Sequence, residues 1–195
     1  MNKLMGFYEL NNMNLPSIPW REYSKDVVLD DKLLWTIRSA VYQGNDLNLP
    51  RLVGITSFEA KVFADSLLDR LGGNGIVIYY PFFIAKKSGN LNVFSDAVVI
   101  EAVKDDLWNL VTHAKVDVTI QINEDGEFQK GNAEFLTEDE KNNLLIYVGE
   151  IRKLFRDDLF EGKSILLEWS FAQNSSIDKM PIGKEYLVFY EARTV

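Results

Sequence analysis

The sequence predicts an α+β fold, with a mixed, mainly antiparallel sheet and flanking helices. Strand-like and helix-like segments follow in the order strand, helix, several strands, helix and two final strands. The final strands, at 164–172 and 184–194, are joined by a polar connection without a helical pattern, so we expect them to pair antiparallel. A doubly wound parallel sheet would need a helix between successive strands, and this order does not provide one.

The strand-like segments are rich in β-branched and aromatic residues and are bounded by Gly, Pro, Asn or Asp. The predicted strands lie at 33–41, 75–85, 97–103, 116–122, 164–172 and 184–194. Pro81 is expected to bend the second of them. The sequence Glu124-Asp125-Gly126 follows the fourth and predicts a β-hairpin.

Two helices are predicted from capping boxes, in which a Thr and a Glu three residues later satisfy the first free backbone N–H groups. Thr56 and Glu59 open the first helix, and Gly72 ends it. Thr137 and Glu140 open the second, in which apolar residues recur at helical spacing as far as Phe155.

We expect one domain over residues 1–195. The chain is 47% hydrophobic, which is enough for a substantial core, and it contains no internal repeat or interdomain linker. Residues 1–31 include two prolines in LPSIPW and are predicted to form an extended N-terminal arm. Residues 33–194 form the main body, with a further short helix at 105–112.

The composition disfavours several classes of function. A formal charge of −8 makes the chain a poor partner for a phosphate backbone, so nucleic-acid binding is not expected. The lack of cysteine excludes disulfides, thiolate catalysis and cysteine-based zinc sites, and a single histidine excludes a histidine-built metal centre. The sequence shows neither a membrane span nor a signal-peptide pattern, so we expect a cytoplasmic protein without membrane association.

The two final strands each carry a carboxylate within an apolar pattern. Glu168 lies in SILLEWSFA and Glu191 in KEYLVFYEART. On paired strands the two side chains can share one face, about 5 Å apart at closest register. Carboxylates this close repel each other unless a cation or a proton lies between them. Mg²⁺ accepts a pair of carboxylates together with nucleotide phosphates, so this pair predicts a magnesium site.

Two arginines complete the predicted site. Arg38, near the end of the first predicted strand, and Arg193, in the last, could hold phosphate oxygens through two N–H groups each. The alternative is structural, with Glu168 forming a salt bridge to Arg193 on a half-exposed sheet face. The pattern of residues alone favours this alternative.

Other residues have both a functional and a structural interpretation. Tyr79, Tyr80 and Phe82 could stack on adenine, although membership of the core is favoured. Lys86, in KKSG, could contact phosphate or lie in a solvated hairpin turn. His113 could accept a phosphoryl group or simply lie at the surface, and the surface interpretation is favoured.

Several short motifs occur in a fixed order along residues 33–194. They are TIRSAVYQGND, YYPFFIAKKSGNL, VIEAV, FLTEDE, LLEWS and FYEART. In this order they resemble the ATP-grasp-like nucleotide-binding domain of the phosphoenolpyruvate synthase and pyruvate phosphate dikinase family. The chain resembles a reduced, standalone and divergent form of that domain.

The resemblance implies an ATP-grasp-like fold that binds ATP between two lobes together with Mg²⁺. It implies that Glu168 is a metal ligand and that Glu191, where the family has Gln, is a second one. Arg38 and Arg193 match the family's phosphate-binding arginines. The segment 78–83 matches the strand that contacts adenine.

The sequence departs from the family pattern at three places. Leu166 stands where the family has an acid on the metal side, and residues 105–108 lack the glycines that cradle phosphate. The family's glycine-and-lysine segment has no counterpart ahead of Arg38, where Lys25 or Lys32 could replace the lysine.

Two hypotheses follow. The first is a protein that binds a purine nucleotide and Mg²⁺, with phosphoryl transfer as the reaction class if it is catalytic. The alternative is a degenerate, non-catalytic member that acts as a regulatory or protein-interaction module.

Overall fold

The computed structural model describes residues 3–44, 49–107, 110 and 115–195. The strands are β1 (Arg21–Glu22), β2 (Trp35–Val41), β3 (Arg51–Ile55), β4 (Gly75–Pro81), β5 (Phe83–Val93), β6 (Val98–Lys104), β7 (Val118–Asn123), β8 (Gly126–Gly131), β9 (Ile165–Ser175) and β10 (Pro181–Thr194). The helices are α1 (Lys3–Asn12), α2 (Ser57–Leu71), α3 (Glu138–Leu145), α4 (Val148–Leu154) and α5 (Arg156–Phe160). This content confirms the predicted α+β class, whereas its ATP-grasp-like character stays a prediction.

The chain divides into two compact units. The large unit comprises Met1–Ser17, Ala85–Ala172 and Tyr186–Val195, and the small unit comprises Ile18–Ile84 and Gln173–Glu185. The single domain expected from the sequence stays a prediction. Among the described residues, no helix is long and apolar enough to cross a membrane.

The small unit contains a four-stranded sheet in the order β1-β4-β2-β3, with all pairs antiparallel. Helix α2 packs against it through Ala60, Ala64 and Leu67, which share a buried core with sheet residues. Both halves of the predicted capping box at Thr56 are present, and the helix ends at Gly72, whose φ of 54° is left-handed. The first predicted helix is therefore confirmed at both ends.

The large unit contains most of a six-stranded sheet in the order β10-β9-β5-β6-β7-β8. The β5–β6, β6–β7 and β7–β8 pairs are antiparallel. Ser164 and Val195 exchange backbone hydrogen bonds of 2.8 and 3.0 Å, and Ser176 donates to the carbonyl of Met180 beyond the other end of the two strands. The expected antiparallel pairing of the final two strands is therefore confirmed.

One face of this sheet is apolar and forms the main core. The face is covered by α3, α4 and α5, which contribute Leu144, Ile151 and Leu159 to the same buried cluster. Leu10 of α1 joins this cluster, and α1 lies so close to β10 that a Cβ at Gly6 would meet the carbonyl oxygen of Ala192 at 2.0 Å. The opposite face of the sheet therefore carries side chains that do not belong to this core.

Several expectations from the sequence are wrong. The predicted extended arm over residues 1–31 contains helix α1, whose buried residues anchor it to the core. The structure has two sheets where one was expected, and strands β1 and β3 were not predicted. The second predicted helix is divided into α3, α4 and α5. Only residues 176–180 separate β9 from β10, because both strands extend into the predicted connection at 173–184.

Candidate functional site

The second face of the six-stranded sheet is polar at its centre. Along β5, Leu91 and Val93 point to the core, so the alternation of a strand places Ser88, Asn90 and Asn92 on the opposite face. Asn90 lies opposite Glu101 of β6, which in turn lies opposite Thr119 of β7. We call this surface the polar face.

Strand β9 continues the polar face. Ile165, Leu167, Trp169 and Phe171 belong to the core, so the residues between them point the other way. The Ser170 hydroxyl oxygen lies 2.8 Å from that of Ser88, and the Ser88 hydroxyl donates a 2.6 Å hydrogen bond to the carbonyl of Asp105. Glu168, two residues before Ser170, therefore lies on the polar face as well.

The two predicted glutamates meet at one guanidinium group on this face. Nη2 of Arg193 donates a 2.8 Å hydrogen bond to Oε1 of Glu168 and lies 3.0 Å from Oε1 of Glu191. The second contact is an ion pair without the alignment of a hydrogen bond. We call these three residues the charge triad.

The pairing of the last two strands explains why the triad forms. Starting from the Ser164 and Val195 pair and counting four residues inward along both strands brings Glu168 opposite Glu191. Side chains directly opposite each other in an antiparallel pair lie about 5 Å apart, and Arg193 follows Glu191 by two residues on the same face. The distance of about 5 Å predicted between the two carboxylates thus follows from the register of the hairpin.

The triad is more buried than a surface salt bridge. The side chains of Glu168, Glu191 and Arg193 are 11%, 3% and 31% exposed. The structural alternative of a Glu168–Arg193 salt bridge is therefore confirmed, but it lies in a largely buried position. Charged side chains are costly to bury unless they are paired, and the contacts with Arg193 offset part of this cost for both carboxylates.

Unsatisfied polar atoms occur on the same face. The Oδ1 atoms of Asn90 and Asn92 and the Nε atom of Arg193 are buried and have no hydrogen-bond partner among the described residues. Buried polar atoms are usually satisfied, so each of these marks a position where a ligand or solvent is expected. The two acceptors favour a cation or a hydrogen-bond donor, and the Nε donor favours an anion.

The donor set can be compared with what a magnesium ion needs. Among the described residues, no group of three or more Asp, Glu, His or Cys side chains is placed to hold a metal ion. Magnesium beside a nucleotide needs only one or two carboxylates, because phosphate and water oxygens fill the remaining positions. Glu168 and Glu191, with the amide oxygens of Asn90 and Asn92 on the same face, fit that pattern.

The aromatic residues predicted to bind adenine pack within the small unit. Tyr79 contacts Tyr23 and Trp35, with ring centroids 6.1 and 5.6 Å apart. Tyr80 is buried and stacks with its neighbour Phe83. A role in adenine binding stays a prediction for these rings.

Phe82 is the third of the predicted adenine-binding residues. Its ring covers Gly54, where an added Cβ would lie 3.2 Å from it. Gly54 has a φ of 65°, a left-handed conformation that favours glycine. Both this backbone conformation and the close ring of Phe82 account for a glycine at position 54. Phe82 therefore has a packing role, and its ligand role stays a prediction.

The remaining predicted residues lie in different parts of the chain. Arg38 is buried in β2, between Arg51 of β3 and Ile78 of β4. Lys86 is exposed on β5, where the alternation of the strand places it on the side that carries Ser88. The structure brings Glu168, Glu191 and Arg193 into contact, and the roles of Arg38 and Lys86 stay predictions.

Asn90 and Asn92 were not predicted as site residues. The segment KKSG was expected to form a turn, whereas residues 86–89 lie within strand β5. The alternation of polar and apolar residues from Ser88 to Val93 was the available signal for a strand with a polar face. His113 and four of the eight residues of the short helix predicted at 105–112 lie outside the described residues.

Comparisons with known proteins give little guidance. No protein-family model matches the chain, and no curated protein matches it. A solved structure of the macrocyclase MdnC bound with precursor peptide MdnA, from Microcystis aeruginosa MRC, aligns with a TM-score of 0.45 and 11% sequence identity. The alignment covers 97% of this chain and 51% of that one, so the chain spans about half its length. This likeness does not indicate what the chain does.

Proposed function

We propose that this chain binds a purine nucleotide as its Mg²⁺ complex on the polar face. The observation that carries the proposal is the charge triad, in which two largely buried carboxylates on neighbouring strands both contact the guanidinium group of Arg193. A divalent cation beside Glu168 and Glu191 would take an oxygen ligand from each carboxylate, and the phosphates of the nucleotide would supply further oxygen ligands.

The charge of the site also specifies the form of the ligand. The carboxylates of Glu168 and Glu191 repel free phosphate, whereas a divalent cation bound to them attracts it. The buried Nε of Arg193 then has a candidate acceptor in a phosphate oxygen. Lys86, which is exposed on the same side of β5 as Ser88, is a second candidate cation for phosphate.

If the bound nucleotide reacts, phosphoryl transfer is the reaction class that these residues support. This reaction requires positioning and neutralisation of charge more than a nucleophilic side chain. Bound Mg²⁺ would neutralise phosphate charge, while Glu168 and Glu191 hold the ion and Arg193 orients an oxygen. The acceptor of the phosphoryl group is not part of the proposal.

Thermal unfolding with nucleotide tests the proposal. ATP with Mg²⁺ should raise the melting temperature, because a ligand that binds only the folded state stabilises it. A concentration about 100-fold above the dissociation constant should give roughly 2.7 kcal/mol, or about 5–10 °C for a chain of this size. ATP with EDTA should give no shift.

A charge-neutral variant is the matched control for this experiment. Glu168→Gln with Glu191→Gln keeps the shape of both side chains and should lose the shift produced by Mg²⁺ with ATP. The same shift in this variant as in the unmodified chain would show that nucleotide binds elsewhere. No shift in the unmodified chain at millimolar Mg²⁺-ATP would overturn the proposal.

A regulatory or protein-interaction module is the second candidate function. In the small unit, several large apolar side chains of α2 and the segment around the β9–β10 turn are at least half exposed: Phe58, Val62, Ile177, Met180 and Ile182. Exposed apolar residues in this number are typical of a contact surface when they are contiguous. Failure of the nucleotide experiment, with the triad intact and the chain folded, would favour this candidate.

A further inference from the structure

We propose that Asn90, Asn92 and Glu101 form a second binding site on the polar face, which takes the primary ammonium group of a small molecule. We call these three residues the acceptor cluster. The inference goes beyond the proposed function and does not depend on it, because Mg²⁺ beside a nucleotide needs only one or two protein carboxylates. It assigns a ligand to polar groups outside the charge triad.

Strand pairing brings the three side chains of the acceptor cluster together. Asn90 of β5 lies directly opposite Glu101 of β6, and Asn92 lies opposite Val99, which makes it a diagonal neighbour of Glu101. Ile100 belongs to the core, so the alternation of β6 places Glu101 on the polar face. Directly opposite side chains begin about 5 Å apart, and diagonal neighbours about 7–8 Å apart stay within reach of a long side chain.

Each member of the cluster is an acceptor that lacks a donor. The Oδ1 atoms of Asn90 and Asn92 are buried and have no hydrogen-bond partner in the part of the chain that the structure describes. Glu101 is half-buried, and its carboxylate forms no hydrogen bond or ion pair with another described residue. Because buried acceptors are usually satisfied, three of them on one face indicate a ligand that brings several donors.

The charge and spacing of the cluster favour an ammonium group over a divalent metal ion. One carboxylate and two neutral amides are balanced by a single positive charge. Ammonium N–H groups point to tetrahedral corners and bond to oxygen at about 2.7–2.9 Å, so two acceptors lie roughly 4.6 Å apart. This distance is close to the spacing of directly opposite side chains. Mg²⁺ binds oxygen at about 2.1 Å and would need neighbouring oxygens to approach to roughly 3 Å.

A cation of the protein lies in the same row of side chains but does not fill the position. Glu101 lies opposite Thr119 of β7, and Thr119 lies opposite Lys130 of β8. Lys130 is therefore two strands away from Glu101, which is roughly 9–10 Å. It is exposed and forms no ion pair with Glu101.

The acceptor cluster can be reached by a small ligand. Asn90, Asn92 and Glu101 are each partly exposed. The terminal torsion of an asparagine side chain is broad and roughly two-fold, so each buried amide oxygen can turn toward an approaching donor.

The experiment records the side-chain amide signals of Asn90 and Asn92 by NMR while ethylammonium chloride is added, in EDTA and without nucleotide. Both signals should shift and saturate. Glu101→Gln keeps the shape of the side chain and should weaken binding at least about tenfold, because a charge-assisted hydrogen bond is lost. No saturable shift in the unmodified chain, or the same affinity in Glu101→Gln, would overturn the inference.

Two other salts and one control signal make the result specific. Tetramethylammonium chloride carries the same charge without N–H donors, so a saturable shift of equal size with this salt would contradict the inference. Saturation by MgCl₂ without a response to ethylammonium would identify a metal site and would also contradict it. The amide signal of Asn132 should not shift, because its oxygen already accepts a 3.0 Å hydrogen bond from the backbone N–H of Glu134.

A second variant covers the case in which Glu101→Gln does not fold. Asn90→Asp replaces a neutral acceptor by a carboxylate of nearly the same shape and should bind ethylammonium several-fold more tightly, since hydrogen bonds to a charged acceptor are stronger. The signal of Asn92 reports the binding, and an unchanged or lower affinity would overturn the inference. Because nucleotide and Mg²⁺ are absent from these titrations with ethylammonium, their outcome is separate from the melting-temperature test with Mg²⁺-ATP.

Discussion

Replacement of Arg193 by methionine should destabilise the protein far more than neutralisation of either of its partners. At an effective dielectric constant of about 20, charges about 3 Å apart attract by about 5 kcal/mol, and carboxylates about 5 Å apart repel by about 3 kcal/mol. Arg193→Met loses two such attractions and leaves the repulsion, because Nη2 contacts both carboxylates. After desolvation is included, breaking a buried pair of this kind typically costs about 3–5 kcal/mol.

Glu191→Gln is expected to behave differently. It loses one attraction, but it also removes the repulsion from Glu168 and the cost of burying a second carboxylate. We therefore expect a change in the free energy of unfolding of at most about 1 kcal/mol. The contrast between the two variants measures how far the repulsion between Glu168 and Glu191 offsets their attraction to Arg193.

The assay is denaturant unfolding in EDTA at low salt, with melting temperatures as a second measure. For a chain of this length, about 3–5 kcal/mol corresponds to a fall of roughly 6–20 °C for Arg193→Met. Lys163 provides an exposed control, because it bridges Asp158 and Glu161 with a side chain that is 46% exposed. Lys163→Met should change the melting temperature little, since surface ion pairs are screened.

Equal losses for Arg193→Met and Lys163→Met would refute this reasoning. Such a result would mean that solvent screens the triad as it screens a surface pair. A loss for Glu191→Gln as large as that for Arg193→Met would also refute it, because removal of the repulsion between Glu168 and Glu191 would then not offset the lost attraction.

Further predictions concern the structure that supports the site. Gly89→Ala should prevent folding or cost at least about 1–3 kcal/mol, because a Cβ there would lie 1.9 Å from the carbonyl oxygen of Glu101 and 2.5 Å from the ring of Trp169; denaturant unfolding tests this. The Tyr23 hydroxyl donates a 2.8 Å hydrogen bond to Asp65, and this bond is the main cause of the lowered pKa of the Asp65 carboxyl. Because its pKa is lowered in the folded state, the ionised Asp65 carboxyl stabilises the protein at pH values above its unfolded-state pKa, and this stabilisation is lost as the pH falls through the folded-state pKa. Tyr23→Phe should therefore show a smaller loss of stability below about pH 4. An unchanged acid limb of the stability curve in that variant would contradict this assignment.

Local patterns predicted much of the fold. The capping boxes at Thr56 and Thr137 define where α2 and α3 begin, because they depend on contacts within four residues. The β7–β8 hairpin follows from its turn sequence, with Asn123 opposite Gly126. Such elements are stabilised by neighbours in sequence, so a single sequence is sufficient to recognise them.

Elements that depend on distant contacts were missed. The segment Lys3–Asn12 has no acid in its first turn and no base in its last turn, yet it forms α1 because Leu4, Phe7 and Leu10 are buried in the folded protein. Strand β1 has only two residues and exists through its pairing with β4. Neither element is encoded by local periodicity.

The candidate site likewise combines residues that the local sequence predicts with residues whose importance depends on distant contacts. The glutamates were recognised because an acid inside an apolar strand is costly, and the alternation of two paired strands then fixes a common face. Their contact with Arg193 was weighed as a salt bridge, but the extent of burial depends on the whole fold. Asn90 and Asn92 were missed because their importance lies in buried, unsatisfied amide oxygens, which only the structure reveals.

Binding of Mn²⁺-ATP, followed by paramagnetic broadening in NMR spectra, tests the central claim most directly. The side-chain amide signals of Asn90 and Asn92, which lie on the polar face, should broaden. Those of Asn142 should stay sharp, because α3 packs on the opposite, apolar face of the sheet. Broadening of Asn142 alone, or no broadening at saturating Mn²⁺-ATP, would contradict the proposal that Glu168 and Glu191 bind the metal–nucleotide complex.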